Sequence, residues 1–184
     1  MELLRAFNLD QKTITETNIT PQNLVDIYSG QLYKFCRSLT YSKEDAEDLF
    51  QETFIKAFDH LARENPQGLL FSTAIYIWKS WKRKYARRNR LAPTTPLSPM
   101  DENTASSMDI EGEYAQKEDI RIVKELVAAL PDKFRIPTIL YYNAELGVSD
   151  IALALKVPAG TVKSRLHKAR KLIQEGLVKN GYEY

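Results

Sequence analysis

Residues 148–176 read VSDIALALKVPAGTVKSRLHKARKLIQEG, and where this stretch breaks decides the fold. Val148 to Leu155 has the spacing of a short helix. Lys156-Val157-Pro158-Ala159-Gly160 then makes a turn, and Thr161 to Gly176 resumes as a longer helix. Two helices joined by so tight a turn form a helix-turn-helix. Ile151, Ala152, Leu155, Val157, Val162, Leu166 and Ala169 supply its aliphatic contacts, with Ala152 small enough to let the two axes approach. Thr161 is placed to cap or begin the second helix. The outward positions of that helix are Lys163, Ser164, Arg165, His167, Lys168, Arg170 and Lys171. Cations in that arrangement suit DNA: the N-terminal ones reach base edges in a major groove, the later ones phosphates.

Working outward, Pro131-Asp132 starts another helix, bearing Phe134, Ile136, Ile139, Leu140 and Tyr141. Pro137 must sit in its first turn or kink it. A further helix runs from about Glu113 to Leu130. Ala92-Pro93 through Gly112 is a linker by composition, holding three of the 8 prolines. Before it lie three more helices. Thr20-Pro21 starts one, with Leu24, Val25, Ile27, Tyr28, Leu32, Phe35, Cys36 and Leu39 at helical spacing. Ser42-Lys43-Glu44-Asp45 has the form of a capping box and opens the next. Ala46, Leu49, Phe50, Phe54, Ala57, Phe58 and Leu61 give that helix one apolar stripe, and Asn65-Pro66-Gln67-Gly68 stops it. The third, from about Leu70 to Arg90, begins apolar and aromatic and ends basic. The fold expected is all-α: two small helical domains joined by a flexible linker, with the helix-turn-helix in the second. The boundaries are a tail over 1–20, a domain over 21–91, a linker over 92–112 and a domain over 113–184.

Net charge is only +2 over 184 residues, but the charges are sorted. Lys79 to Arg90 holds seven basic residues and no acid, and Lys156 to Lys171 six and none. Thr40 to His60 carries six acids against two lysines. Two basic surfaces for a polyanion and an acidic one for another partner follow from that sorting. The lone Cys36 sits among Leu32, Phe35 and Leu39, which marks a buried thiol and excludes an internal disulfide. His60 and His167 lack metal-ligand spacing, and no glycine-rich phosphate loop is present, so no metal, cofactor or small-molecule substrate is expected. With no signal peptide and no apolar run of transmembrane length, a cytoplasmic protein is expected.

Ile151-Ala152 followed by Val157 to Arg170 closely resembles the promoter-reading domain of extracytoplasmic-function (ECF) sigma factors, as does Leu130-Pro131-Asp132-Lys133-Phe134-Arg135. Ala46 to Phe58 resembles the polymerase-docking helix of the same family. The resemblance implies a sigma factor that binds core RNA polymerase and directs promoter-specific initiation. It assigns Glu47, Asp48, Gln51 and Glu52 to the clamp helices of the polymerase β′ subunit, and the C-terminal domain to the β flap. It places the third helix at the −10 element, with Trp78, Trp81 and Tyr85 stacking on unpaired bases and Lys82, Arg83, Lys84, Arg87 and Arg88 holding the backbone. The segment from about Arg63 to Phe71 would receive a flipped base. An anti-sigma factor is the implied restraining partner. The third helix departs from the family's usual residues: many members carry Trp where Ala74 stands, Asn near Trp81 and Asp near Tyr85.

Two other readings use the same residues. A plain transcription regulator would share the helix-turn-helix but not need the acidic helix or the second basic run. A metal-dependent nuclease would use Glu44, Asp45, Glu47 and Asp48, yet consecutive positions on one helix fan outward instead of converging on an ion.

Overall fold

The computed structural model describes residues 21–40, 42–59, 65–91 and 110–182. The expected tail, and residues 92–109 of the expected linker, lie outside them. Every described element is a helix: α1 (Pro21–Leu39), α2 (Lys43–Phe58), α3 (Pro66–Leu91), α4 (Ile110–Ala129), α5 (Asp132–Tyr142), α6 (Val148–Leu155) and α7 (Ala159–Lys179). Helices α1–α3 form one packed unit and α4–α7 another, and the two touch through α3 on α6 and α1 on α5.

Helix α2 begins as its sequence directs. The Ser42 hydroxyl accepts from the Asp45 backbone N–H at 2.9 Å, taking one of the free donors of the first turn. Its buried stripe is Ala46, Leu49, Thr53, Phe54 and Ala57. Thr53 is tolerated in that stripe because its hydroxyl donates to the Leu49 carbonyl at 2.6 Å. Against it lie Leu24, Leu32, Phe35 and Cys36 of α1 and Leu70, Phe71, Ala74 and Ile77 of α3. Phe35 and Phe71 meet edge to face, 5.3 Å between ring centres. Burial pushes the Cys36 thiol up to about 12, which keeps it protonated and unreactive.

The start of α3 corrects the sequence reading. Asn65-Pro66 does not merely stop α2; it opens α3 four residues before Leu70. The Asn65 side chain accepts from the Gly68 N–H at 2.6 Å, and Pro66 fills the first helical position, where a missing N–H costs nothing. Gly68 fits because a side chain there would press on Asn65, 3.1 Å from the place of its Cβ.

Two helices of the second unit also begin earlier than expected. Helix α4 starts at Ile110, inside the segment read as linker, and α7 starts at Ala159. Pro158 is the N-cap of α7, so Thr161 lies within the first turn and does not cap the helix. Pro137 sits in the interior of α5, which nonetheless continues to Tyr142. The helix loses one donor there, and Thr138, next in sequence, returns its hydroxyl to the Phe134 carbonyl at 2.8 Å.

Candidate nucleic-acid interface

The turn of the helix-turn-helix is built on one left-handed residue. Lys156 has φ 53° and ψ 48°, a conformation that usually selects glycine. Its N–H bonds the Leu153 carbonyl at 3.2 Å, and the Val157 N–H bonds the Ala152 carbonyl at 3.0 Å. This is the paired closure that ends a helix and turns the chain sharply. It places α7 across α6, with Val162, Leu166 and Ala169 of α7 and Ile151 and Ala154 of α6 buried. Ala152 is half-buried in the same contact.

The cations of α7 remain outside. Lys163, Ser164, His167, Lys168, Arg170 and Lys171 are exposed, and Arg165 is half-buried. Two of the set are already engaged. The Ser164 hydroxyl donates to the Thr161 carbonyl at 3.0 Å, and the Arg170 Nε–H donates to the Tyr142 hydroxyl at 2.9 Å. Arg170 lies 6.0 Å from the rings of both Tyr141 and Tyr142, which anchors it to α5.

Helix α3 divides its basic half among three faces. Tyr76, Ser80, Arg83 and Arg87 share one by helical spacing, and all four are exposed. Trp81, Lys84, Tyr85 and Arg88 line a cleft on a second. Trp78 and Lys82 share the third, which faces the other unit. Trp78 does not stand outward as a stacking residue would: it is 7% exposed, and its indole N–H donates to the Leu39 carbonyl at 3.1 Å. Lys82 bonds both carboxylate oxygens of Asp132 at 2.9 Å. The aromatic rings open to solvent on this helix are those of Tyr76 (64% exposed) and Tyr85 (53%). Tyr76 escaped the sequence reading because it sits inside Ile75-Tyr76-Ile77; its spacing to Arg83 and Arg87 was the available signal. Residues 65–71, the described part of the segment expected to receive a flipped base, lie at the start of α3, with Leu70 and Phe71 buried.

Glu47, Asp48, Gln51 and Glu52 lie on the side of α2 away from α1 and α3. Asp48 and Gln51 are exposed, whereas Glu47 and Glu52 are half-buried and paired along the helix, with Lys43 at 3.8 Å and Lys56 at 2.6 Å. Ile55 continues this face one turn on, 65% exposed. Among the described residues no group of His, Cys, Asp and Glu is placed to hold a metal ion. None of their helices is long and apolar enough to cross a membrane.

Two family models match, in the order of the two units: Sigma-70 region 2 over residues 24–90 and Sigma-70, region 4 over residues 120–173. The ECF RNA polymerase sigma factor SigW of Bacillus subtilis is 29% identical over 84% of this chain and 87% of its own length. The chain belongs to the ECF group of sigma-70 factors. The ECF sigma factor SigE of Mycolicibacterium smegmatis is 30% identical over 87% of this chain and 62% of its own. Among solved structures, the sigma factor RpoE of Bartonella quintana, in complex with the anti-sigma factor NepR, superposes with a TM-score of 0.64. It shares 24% identity, over 83% of this chain and 93% of that one. An ECF sigma factor directs promoter-specific transcription initiation by RNA polymerase, and that is what this chain does. Its relatives are initiation factors and not catalysts.

Proposed function

We propose that this sigma factor divides its work among three surfaces: α2 docks on polymerase, α7 reads the −35 element and α3 engages the −10 element. The observation that carries the division is the separation of charge onto different helices, acidic and solvent-facing on α2, basic on α3 and α7. On α2 the docking face is Glu47, Asp48, Gln51 and Glu52, extended by Ile55, and it meets the clamp helices of β′. On α7 the N-terminal pair Lys163 and Ser164 enters the major groove, Arg165 and His167 follow, and Lys168, Arg170 and Lys171 hold phosphates. The second unit also contacts the β flap.

On α3, Tyr76 and Tyr85 stack on unpaired bases, with Trp81 at the edge of its cleft. Arg83, Lys84, Arg87 and Arg88 track the backbone. Trp78 serves the packing of α3 in this conformation, and Lys82 joins the cations only once Asp132 has released it. The first unit spans residues 21–91 and the second begins at Ile110. The protein works in the cytoplasm, carries no metal or cofactor and catalyses nothing itself. Polymerase performs the chemistry. By likeness to RpoE, whose structure contains an anti-sigma factor, a protein of that class restrains this one by covering its polymerase-binding surfaces.

A separation-of-function experiment tests the division. Reversing Asp48 and Glu52 to lysine is expected to abolish binding to core polymerase and leave −35 DNA binding intact. Lys163→Ala or Lys168→Ala is expected to weaken −35 DNA binding and leave binding to core polymerase intact. Variants that lose both activities together, or neither, would contradict it.

A further inference from the structure

We infer that Lys156, the left-handed residue of the helix-turn-helix, is a further DNA contact, its ammonium taking a backbone phosphate beside the −35 element from outside α7. Its backbone (φ 53°, ψ 48°) is one that a Cβ disfavours and that glycine adopts freely. The turn asks only for main-chain atoms there. The Lys156 N–H reaches the Leu153 carbonyl and the Val157 N–H the Ala152 carbonyl, bonds that glycine at 156 would leave in place. The Lys156 side chain is exposed, and its ammonium has no hydrogen-bond or ionic partner among the described residues. Glu145, also a non-glycine residue of positive φ, at least meets Lys34, at 3.4 Å. Strained residues of this kind persist at functional sites, and the side chain of Lys156 has no use within the protein.

Its place in the motif supplies the ligand. Ser149, Leu153 and Lys156 share one side of α6 by helical spacing, and all three are exposed. With Ala152 and the chain from Val157 to Ala159 they line an open concavity beside the first turn of α7. Among those lining residues Lys156 alone is charged. The acid of α6 lies elsewhere: the Asp150 carboxylate sits back over Gly147, 3.0 Å from where a Cβ there would stand. Half-buried Val157 and Pro158, with φ −60°, hold the turn in a set relation to α7.

In a helix-turn-helix the N-terminal part of the second helix enters the major groove while the first helix crosses the backbone. The concavity lies between those two parts. When Lys163 and Ser164 reach base edges, it therefore fronts the phosphates that border the groove. A lysine there acts as a point charge on one of them, adding affinity and fixing register without reading sequence. The inference rests on the reading of α7 as the helix that enters the −35 element.

Stability and DNA binding should respond to this residue in opposite directions, and that opposition is the test. In the full-length protein, Lys156→Gly is expected to raise the midpoint of urea unfolding. The same variant should bind a −35 duplex about five- to tenfold more weakly at about 0.1 M salt, with the slope of log affinity against log salt lowered by about 0.9. Lys156→Asn, which also suits a left-handed backbone but carries no charge, should bind as the glycine variant does. Lys156→Arg should keep the wild-type affinity and slope. Wild-type affinity and slope in the glycine variant would overturn the contact, and so would an equal loss in the arginine variant, which would assign the effect to the turn. Duplexes each carrying one neutral methylphosphonate locate the phosphate. Wild-type protein should lose affinity at one position where the Lys156→Gly protein loses none; identical profiles would overturn the contact. Lys168→Ala separates this from the reading of α7. A lower slope there with an unchanged slope in Lys156→Gly removes the Lys156 contact alone, and an unchanged slope in both removes the reading as well.

Discussion

Helices α3 and α7 each end a helical unit in a run of cations, and in sequence the two runs look interchangeable. They are held differently. Helix α7 is buried along one narrow stripe, and nearly all its cations face water because the turn at Lys156 sets that stripe against α6. Helix α3 is enclosed through its first half and then meets the second unit, so Trp78 and Lys82 are already in use while Arg83 and Arg87 stand free of such contacts. A cluster of charge in a sequence states capacity for a polyanion. Which cations are available is decided by what each face of the helix packs against.

The comparison breaks most decisively if the packing of α7 is removed. Ile151→Ala deletes a fully buried contact between α6 and α7 and is expected to cost about 2–5 kcal/mol. Thermal unfolding followed by circular dichroism measures that loss. Next comes the surface that neither basic helix shares. Asp48→Lys/Glu52→Lys is expected to weaken binding to core polymerase by at least about a hundredfold. The helical spectrum and the −35 affinity should be unchanged, as titration with labelled core enzyme and a −35 duplex would report. A sharper contrast lies within α3. Arg83→Ala should lower the slope of log affinity against log salt for DNA by about 1, as Lys168→Ala should on α7. Lys82→Ala should leave the slope of the free protein nearly unchanged, because Asp132 already occupies that cation; fluorescence anisotropy over a salt series distinguishes the three. The smallest effect concerns the turn. Lys156→Gly relieves a left-handed residue and should stabilise the second unit by about 1 kcal/mol, read from the midpoint of urea unfolding.

Most of the helices were legible because their signals are local. The Ser42 cap, the stripe from Ala46 to Ala57 and the small aliphatic residues of α6 and α7 each act within a turn or two of chain. The errors fell at positions where one residue has two uses. Asn65-Pro66 reads as a terminator but serves as a cap and first turn, and Pro158 displaced Thr161 from the cap of α7. Trp78 belonged to an aromatic stripe whose period could not say which rings face another unit. That depends on Leu39 and Arg135, 39 and roughly 60 residues distant respectively. The docking of the two units left no trace in composition, since Arg135 is one of two cations on α5 and nothing near it in sequence says that it reaches the end of α1. The proposed docking face of α2 is legible as charge, but Ile55 is not, because one apolar residue beyond a stripe carries no signal until its exposure is known.

The most direct test of the account is reconstitution. Purified protein is mixed with bacterial core RNA polymerase, resolved by gel filtration and supplied with promoters from its own genome in a run-off assay. Co-elution with core enzyme and promoter-dependent transcripts, both lost in Asp48→Lys/Glu52→Lys, is the predicted result. DNA binding without co-elution and without transcripts would contradict it and leave a plain helix-turn-helix regulator.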